Sequence, residues 1–185
     1  MVRMDQLERQ IIKDVVAGRT ERFDWIVRNY SQRVFALIAR IVPCREDVEE
    51  LAQDTFIKAF DRLADFRGDS SVATWIYRIA YTTAISHTRR RQLPAVTIDE
   101  TLAADVADAD VDSLLDSPAD ADREAALTRA IERLAPDERA LITLHYFSNL
   151  SLAEVAQVTG LTLSNVKVRL MRTRRKLYTL ITHEN

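Results

Sequence analysis

Very little in this chain interrupts a helix. Only 3 glycines and 4 prolines are spread over 185 residues, too few to punctuate the many turns of a sheet-rich fold. A single cysteine, Cys44, excludes an internal disulfide and a cysteine-rich zinc site; it reads as a small apolar residue. No apolar run approaches the ~20 residues that cross a bilayer, so stable membrane insertion is not expected. The opening residues, Met1 to Gln6, lack the apolar core of a secretory signal, and a cytoplasmic location is the default expectation. Catalytic groupings are missing too. His87, His145 and His183 fall on separate elements and no glycine-rich phosphate loop exists. The acidic residues come without histidine and resemble no dedicated cation loop. No cofactor, metal or enzymatic activity is expected.

What the chain has is helix-forming periodicity. Hydrophobic residues make up 47%, enough for a packed core. The net charge of -2 conceals an asymmetry. Residues 1–93 are net +3, residues 94–122 carry 9 acidic groups and no basic ones, and residues 123–185 are net +4. Asp and Ala dominate the middle stretch, which reads as a flexible, self-repelling acidic linker with a short helix possible at Val111 to Leu115. The predicted fold is all-α: two small helical domains, 1–93 and 123–185, joined by the linker 94–122.

In the first domain, Leu7, Ile11, Ile12 and Val15 predict a short helix that Gly18 ends. Phe23, Ile26, Val27, Tyr30, Val34, Leu37, Ile38 and Ile41 predict a second, over about 21–41, stopped by Pro43. A third is predicted over about 45–65, its apolar face running from Val48 through Leu51, Phe56, Ala59 and Phe60 to Leu63. A fourth, capped by Ser71, puts Val72, Trp75, Ile76, Ile79 and Thr83 on one side and ends in Arg89, Arg90 and Arg91. In the second domain, Ala126 to Leu134 make one helix, and Pro136 opens another that runs to about Phe147. Ser151 and Glu154 form a capping box on a short helix ended by Gly160, and Thr162 caps a last helix striped by Leu163, Val166, Leu170, Thr173, Leu177 and Ile181.

Three groupings suggest function. Residues 151–177 have the form of a helix-turn-helix. The second helix leaves Ser164, Asn165, Lys167, Val168, Met171, Arg172 and Arg175 outside. Short polar groups near a helix N-terminus reach base edges in the major groove, and Lys and Arg neutralise phosphates. The bland reading is a solvated basic helix; the ordered caps and glycine turn favour DNA. Residues 66–91 combine Trp75, Tyr77 and Tyr81 with Arg78, Arg89, Arg90 and Arg91. Aromatics stack on exposed bases while cations follow the backbone, although Trp75 reads equally as core. On the third helix, Glu46, Glu50, Gln53, Asp54, Lys58 and Asp61 lie off the apolar face; as a bare pattern such a face is ordinarily solvated.

The order of these motifs resembles the extracytoplasmic-function sigma factors of bacterial RNA polymerase. Residues Glu46 to Phe60 resemble the segment that docks on the polymerase clamp. Phe66 to Ser71, Thr74 to Ile76 and Arg78 to Ala80 resemble the segment that recognises and melts the minus-ten element. Leu150 to Ala156 and Val166 to Leu177 resemble the helix-turn-helix that reads the minus-thirty-five element. The resemblance implies a factor that binds core polymerase at its clamp and flap and binds promoter DNA as duplex and as single strand. It adds Arg169 to the upstream-reading surface. Gly68, Asp69, Ser70 and Ser71, with Thr82, join the melting surface. It also implies an anti-sigma partner. Thr82 stands where many members have Asn, Val72 replaces an aromatic, Asp54 a Glu and Val168 a frequent Ser. The competing reading is a helix-turn-helix regulator that binds operators without docking on polymerase. It would need a dimer seam, and the chain has no long heptad.

Overall fold

In the computed structural model, which describes residues 5–91 and 121–182, each helix begins and ends for a local reason. Helix α1 (Gln6–Val16) is opened by Asp5 in a reciprocal cap with Glu8 and closes at Gly18, whose φ of +98° suits glycine. Its one buried acid, Asp14, accepts from Gln10 at 2.7 Å and pairs with Arg19 and Arg22 in the following turn. The Arg19 guanidinium and the Gln10 amide hold that carboxyl below the ordinary carboxylate range. A 3-10 turn, Thr20–Arg22, precedes α2 (Phe23–Ile41), so the second helix starts two residues later than its periodicity suggests.

Helix α3 (Arg45–Asp61) is shorter than predicted. Arg62 leaves the helical conformation, and Leu63–Asp65 form a 3-10 turn that still delivers Leu63 to the core. Ser71 caps α4 (Val72–Arg91) through the Thr74 N–H at 3.0 Å. Helices α2, α3 and α4 pack on one another around Ile26, Val34, Leu37, Ile38, Val48, Ala59 and Ile76.

The second group starts with α5 (Ala121–Glu132), which lies against α8 (Leu163–Thr182). Helix α6 (Pro136–Ile142) has Pro136 in its first turn, and Glu138 accepts from the Ala135 N–H at 2.9 Å. It is tied to α8 by Asp137–Arg169 at 3.0 Å and Glu138–Lys176 at 2.9 Å. The regular helix predicted through Phe147 stops at Ile142. There the chain widens into a π-helical turn, Thr143–Phe147, in which the Ser148 N–H reaches the Thr143 carbonyl at 2.9 Å. The Thr143 hydroxyl bonds back to the Arg139 carbonyl at 2.7 Å, a competing bond for that turn. Helix α7 (Leu152–Thr159) carries the predicted Ser151–Glu154 box and stops at Gly160. Thr162 caps α8 through the Asn165 N–H at 3.2 Å. The short helix expected at Val111 to Leu115 lies outside the described residues.

The two groups touch. Helix α7 lies on α4, and α6 lies on α2 and α4, so a single apolar core runs through both. Among the described residues no helix is long and apolar enough to cross a membrane and no cluster could hold a metal ion.

Gly160 makes a clean prediction. Its φ is +75° and an added Cβ would meet nothing within 4 Å, so the cost of a side chain there is backbone strain alone. Gly160→Ala is expected to lower stability by about 1–2 kcal/mol. The thermal midpoint should fall about 2–4 °C per kcal/mol, and Gly160→Asn should lose less, because Asn tolerates the left-handed region. A midpoint unchanged by the alanine would show that the turn relaxes.

Candidate nucleic-acid interface

The turn between α7 and α8 is fixed by the Gly160 conformation and by the Thr162 cap. Val155 and Val158 of α7 and Val166 and Leu170 of α8 are buried, so the two helices cannot rotate freely against each other. That packing sends Ser164, Asn165, Lys167, Val168 and Arg172 to the surface together. Val168 is 43% exposed, an apolar contact of the kind a thymine methyl takes. Met171 and Arg175 are half-buried beside this row. Arg169 is exposed but its guanidinium is engaged by Asp137. The predicted upstream-reading set therefore forms one face of α8, with Arg169 at its edge doing structural duty.

The second predicted set divides. Gly68 and Asp69 are exposed, Ser70 and Ser71 are half-buried, and Gly68 has φ +77°. Trp75 packs against Phe66 in a tilted ring contact, 5.1 Å between centroids, and also lines an open groove of about 600 Å³ between α3 and α4. Arg78, Thr82 and Arg90 line the same groove, joined by Lys58, Arg62, His87 and Asp54. Four cations and an indole face in a cleft of this size offer what a phosphodiester chain with an unstacked base requires. The groove brings Asp54 and Lys58, expected on the clamp-facing side, beside residues expected on the DNA-facing side. Lys58 donates to Thr83 at 3.3 Å. The Thr82 hydroxyl turns back to the Arg78 carbonyl at 2.8 Å; an asparagine there would present an amide outward instead.

Tyr77 and Tyr81 lie elsewhere. Tyr77 is only 3% exposed, and burial pushes its phenol pKa up. Tyr81 is half-buried, raised by burial and by the nearby Asp137. Both sit on the side of α4 that the second helical group covers, so in this arrangement neither is open to a base. Of the basic run, Arg89, Arg90 and Arg91 are all exposed, and Arg91 bonds to Asp47, which also meets His87 at 3.3 Å. This fastens the end of α4 to the start of α3.

The polar side of α3 is open. Glu46, Glu50, Gln53 and Asp61 are exposed, and Asp54 and Lys58 are half-buried, 3.7 Å apart. A Cys44 thiol at 3.1 Å and the residue's own backbone N–H hold the Glu46 carboxyl below its ordinary range. One residue was missed from sequence: Ile57, 59% exposed, stands within the acidic row. The signal was present, since Ile57 falls three positions after Asp54 and four before Asp61, but an apolar residue on a polar face looked like noise.

Comparison with known proteins gives this geometry its context. Residues 26–93 match the family described as Sigma-70 region 2, and residues 124–177 match Sigma-70, region 4. The RNA polymerase sigma-H factor of Pseudomonas aeruginosa is 34% identical over 173 residues, 90% of each chain. The ECF RNA polymerase sigma-E factor of Escherichia coli is 32% identical over 177 residues, 92% of each. The chain belongs to the ECF sigma factors. It is therefore a transcription initiation factor, and its all-helical architecture with region 2 and region 4 is that of the family. Solved structures agree in fold. CnrH in complex with the cytosolic domain of CnrY superposes with a TM-score of 0.67 at 22% identity, over 96% of this sigma factor and 98% of that chain. RpoE in complex with the anti-sigma factor NepR from Bartonella quintana gives 0.63 at 20% identity, over 88% and 98%. The α3–α4 groove of this sigma factor lies within region 2, and the exposed face of α8 within region 4.

Proposed function

We propose that this sigma factor binds core RNA polymerase through the polar face of α3, captures melted promoter strand along the α3–α4 groove, and reads the upstream element with α8. The observation that carries the reading is the coexistence, in one chain, of a capped helix-turn-helix with an open polar and basic face and a separate cationic, Trp75-lined groove. A plain operator-binding regulator has no use for the second. Residues 1–93 act as the region 2 module, 94–122 as the linker and 123–185 as the region 4 module.

On α3, Glu50, Asp54 and Asp61 meet the basic clamp and Ile57 is the apolar centre of the contact, with Gln53 and Lys58 at its rim. This is the arrangement of a desolvated anchor inside a polar ring. On the groove, Trp75 offers stacking while Arg78 and Arg90 hold backbone, with the exposed Arg89 beyond its edge for backbone further along; the loop Gly68 to Ser71 receives a flipped base, whose unpairing costs a few kcal/mol. On α8, Ser164 and Asn165 address base edges and Lys167 and Arg172 the phosphates. The protein contributes binding and no catalytic chemistry of its own, works in the cytoplasm, and is held in check by an anti-sigma factor.

The test is direct. Purified chain is mixed with core polymerase, chromatographed, and used for run-off transcription over a random promoter library. Co-elution and new, factor-dependent start sites are expected. DNA shifts without polymerase binding would replace this reading with the operator-binding one.

A further inference from the structure

His87 lines the α3–α4 groove beside Lys58, Arg62 and Arg90, with its side chain 24% exposed. Its Nε2 lies 3.3 Å from Asp47 Oδ2. Asp47 stands in the first turn of α3, its side chain only 12% exposed, and the same oxygen takes the Arg91 guanidinium. A carboxylate held between the ends of two helices and bonded to an arginine keeps its place, and it orients the ring that meets it. Which ring nitrogen is left for a ligand is set by the bond the other one makes. Here Nε2 belongs to Asp47, and Nδ1 has no hydrogen-bond partner among the described residues.

The charges around this ring come mostly from the groove itself. Helix α3 brings Asp47, Asp54, Lys58 and Arg62. Helix α4 brings Arg78 and Arg90 to the groove, with Arg89 and Arg91 next along the chain. Both carboxylates are already paired, Asp47 with Arg91 and Asp54 with Lys58 at 3.7 Å. The other helices packed on α4 put their charge elsewhere: Arg33 of α2 faces Tyr77, and Asp137 of α6 faces Tyr81, ten and six positions before His87. Glu154 is the one titratable residue of α7. A phosphodiester entering the groove therefore changes the ring's surroundings in one direction. It adds negative charge and supplies an acceptor for Nδ1, and both favour the imidazolium over the neutral ring.

We propose that His87 is a further strand-binding residue of the groove and that its contact is proton-linked. On capture of the melted strand the ring takes one proton from solvent. Nε2–H then donates to Asp47 and Nδ1–H donates to a phosphate oxygen. Asp47 is the positioning residue for this contact and acts through the ring. The proposal rests on the strand-binding role given to the groove above. The sign follows from linkage: a complex that holds more protons than its free parts is tighter at low pH and weakens as pH rises. One histidine can change affinity by at most about tenfold per pH unit.

The test uses holoenzyme assembled from the full chain and core polymerase. Its affinity is measured for a fluorescent single-stranded promoter oligonucleotide, taken from the run-off library, at fixed salt between about pH 6 and pH 8, where imidazole changes charge. The parent is expected to bind about fivefold or more tighter at the acid end, a modest coupling. The binding enthalpy should also vary with the ionisation heat of the buffer, which reads the proton directly. His87→Gln should bind like the parent at the alkaline end and lose the gain at the acid end. Titrations of the polymerase itself are common to both and cancel in the difference. Asp47→Asn, which keeps the imidazole but not its anchor, should keep only part of the gain. An upstream-element duplex, read by α8, which carries no histidine, should show no difference between parent and His87→Gln at any pH. A parent and a His87→Gln that differ by one constant factor across the range, as simple loss of packing would give, overturn the proposal. So does proton uptake unchanged by the substitution. If Trp75→Ala with Arg90→Ala leaves strand binding intact at every pH, the groove reading itself falls and takes the histidine contact with it.

Discussion

A chain carrying Glu50→Lys and Asp54→Lys will not co-elute with core RNA polymerase, while melting at the temperature of the parent. Glu50 is exposed on α3, and among the described residues the ion pair lost is Asp54–Lys58 at 3.7 Å, a surface pair of the sort that contributes about 0–1 kcal/mol. The fold therefore has little to lose. The docking surface has much more, since placing like charges against each other across an interface costs several kcal/mol. A loss of about 3 kcal/mol is about a hundredfold in affinity, and the double reversal is expected to exceed that. The residual binding should vary less with salt than the parent's, because steering by opposite charge is screened. Ile57→Ala provides the contrasting case: a weaker loss with unchanged salt dependence, since what is removed is apolar contact. Asp24→Lys, on α2 and paired with Arg28 at 2.6 Å, is the control that should bind normally. If the double reversal binds as tightly as the parent, α3 is not the docking face.

How far such surfaces could be foreseen depended on whether the deciding interaction was local. The Ser151–Glu154 box, the Gly160 turn and the Thr162 cap are set by neighbours within four residues, and all three stand where the spacing put them. So do most of the buried stripes of α2 and α8, apart from Val27 and Ile181, which are half-buried, and Leu163, which is 44% exposed at the first turn, before α8 meets the core. Helix ends were less legible. The break at Arg62 and the widening at Thr143 leave no proline or glycine behind, and the Thr143 hydroxyl bond that accompanies the π turn is one many threonines make without one.

Tyr77, Tyr81 and Ile85 show what local pattern cannot hold. On α4 the first apolar side, Val72, Ile76, Ile79 and Thr83, was plain, and the second side read as an exposed aromatic face. It is buried because α6 and α7, more than 40 residues further on, return to cover it. Nothing within one helical turn of Tyr77 announces that partner. Trp75, by contrast, is placed by neighbours on both sides, packing against Phe66 and also lining the groove. The same distance effect explains Arg169. Its spacing assigns it to the DNA-reading row, but Asp137, 32 positions earlier, has taken its charge.

That difference between Arg169 and its neighbours can be read in salt. Lys167 and Arg172 are exposed, and each phosphate neutralised by such a cation releases condensed counterions, with a slope of about 0.9 in log affinity against log salt. At about 0.15 M salt each contact then carries about a fivefold factor, so Lys167→Ala with Arg172→Ala should weaken holoenzyme binding to an upstream-element duplex about thirtyfold and flatten the salt slope by about two. The loss should be the same for every upstream sequence tried. Asn165→Ala is expected to do the reverse, leaving the slope alone while relaxing preference at one base pair, a discrimination worth about 1–3 kcal/mol. Arg169→Ala should change the slope little and instead lower thermal stability slightly, because the bond it gives up joins α6 to α8. Equal slopes for the parent and the Lys167, Arg172 double variant would mean that these cations never reach the backbone and that α8 meets DNA by some other face.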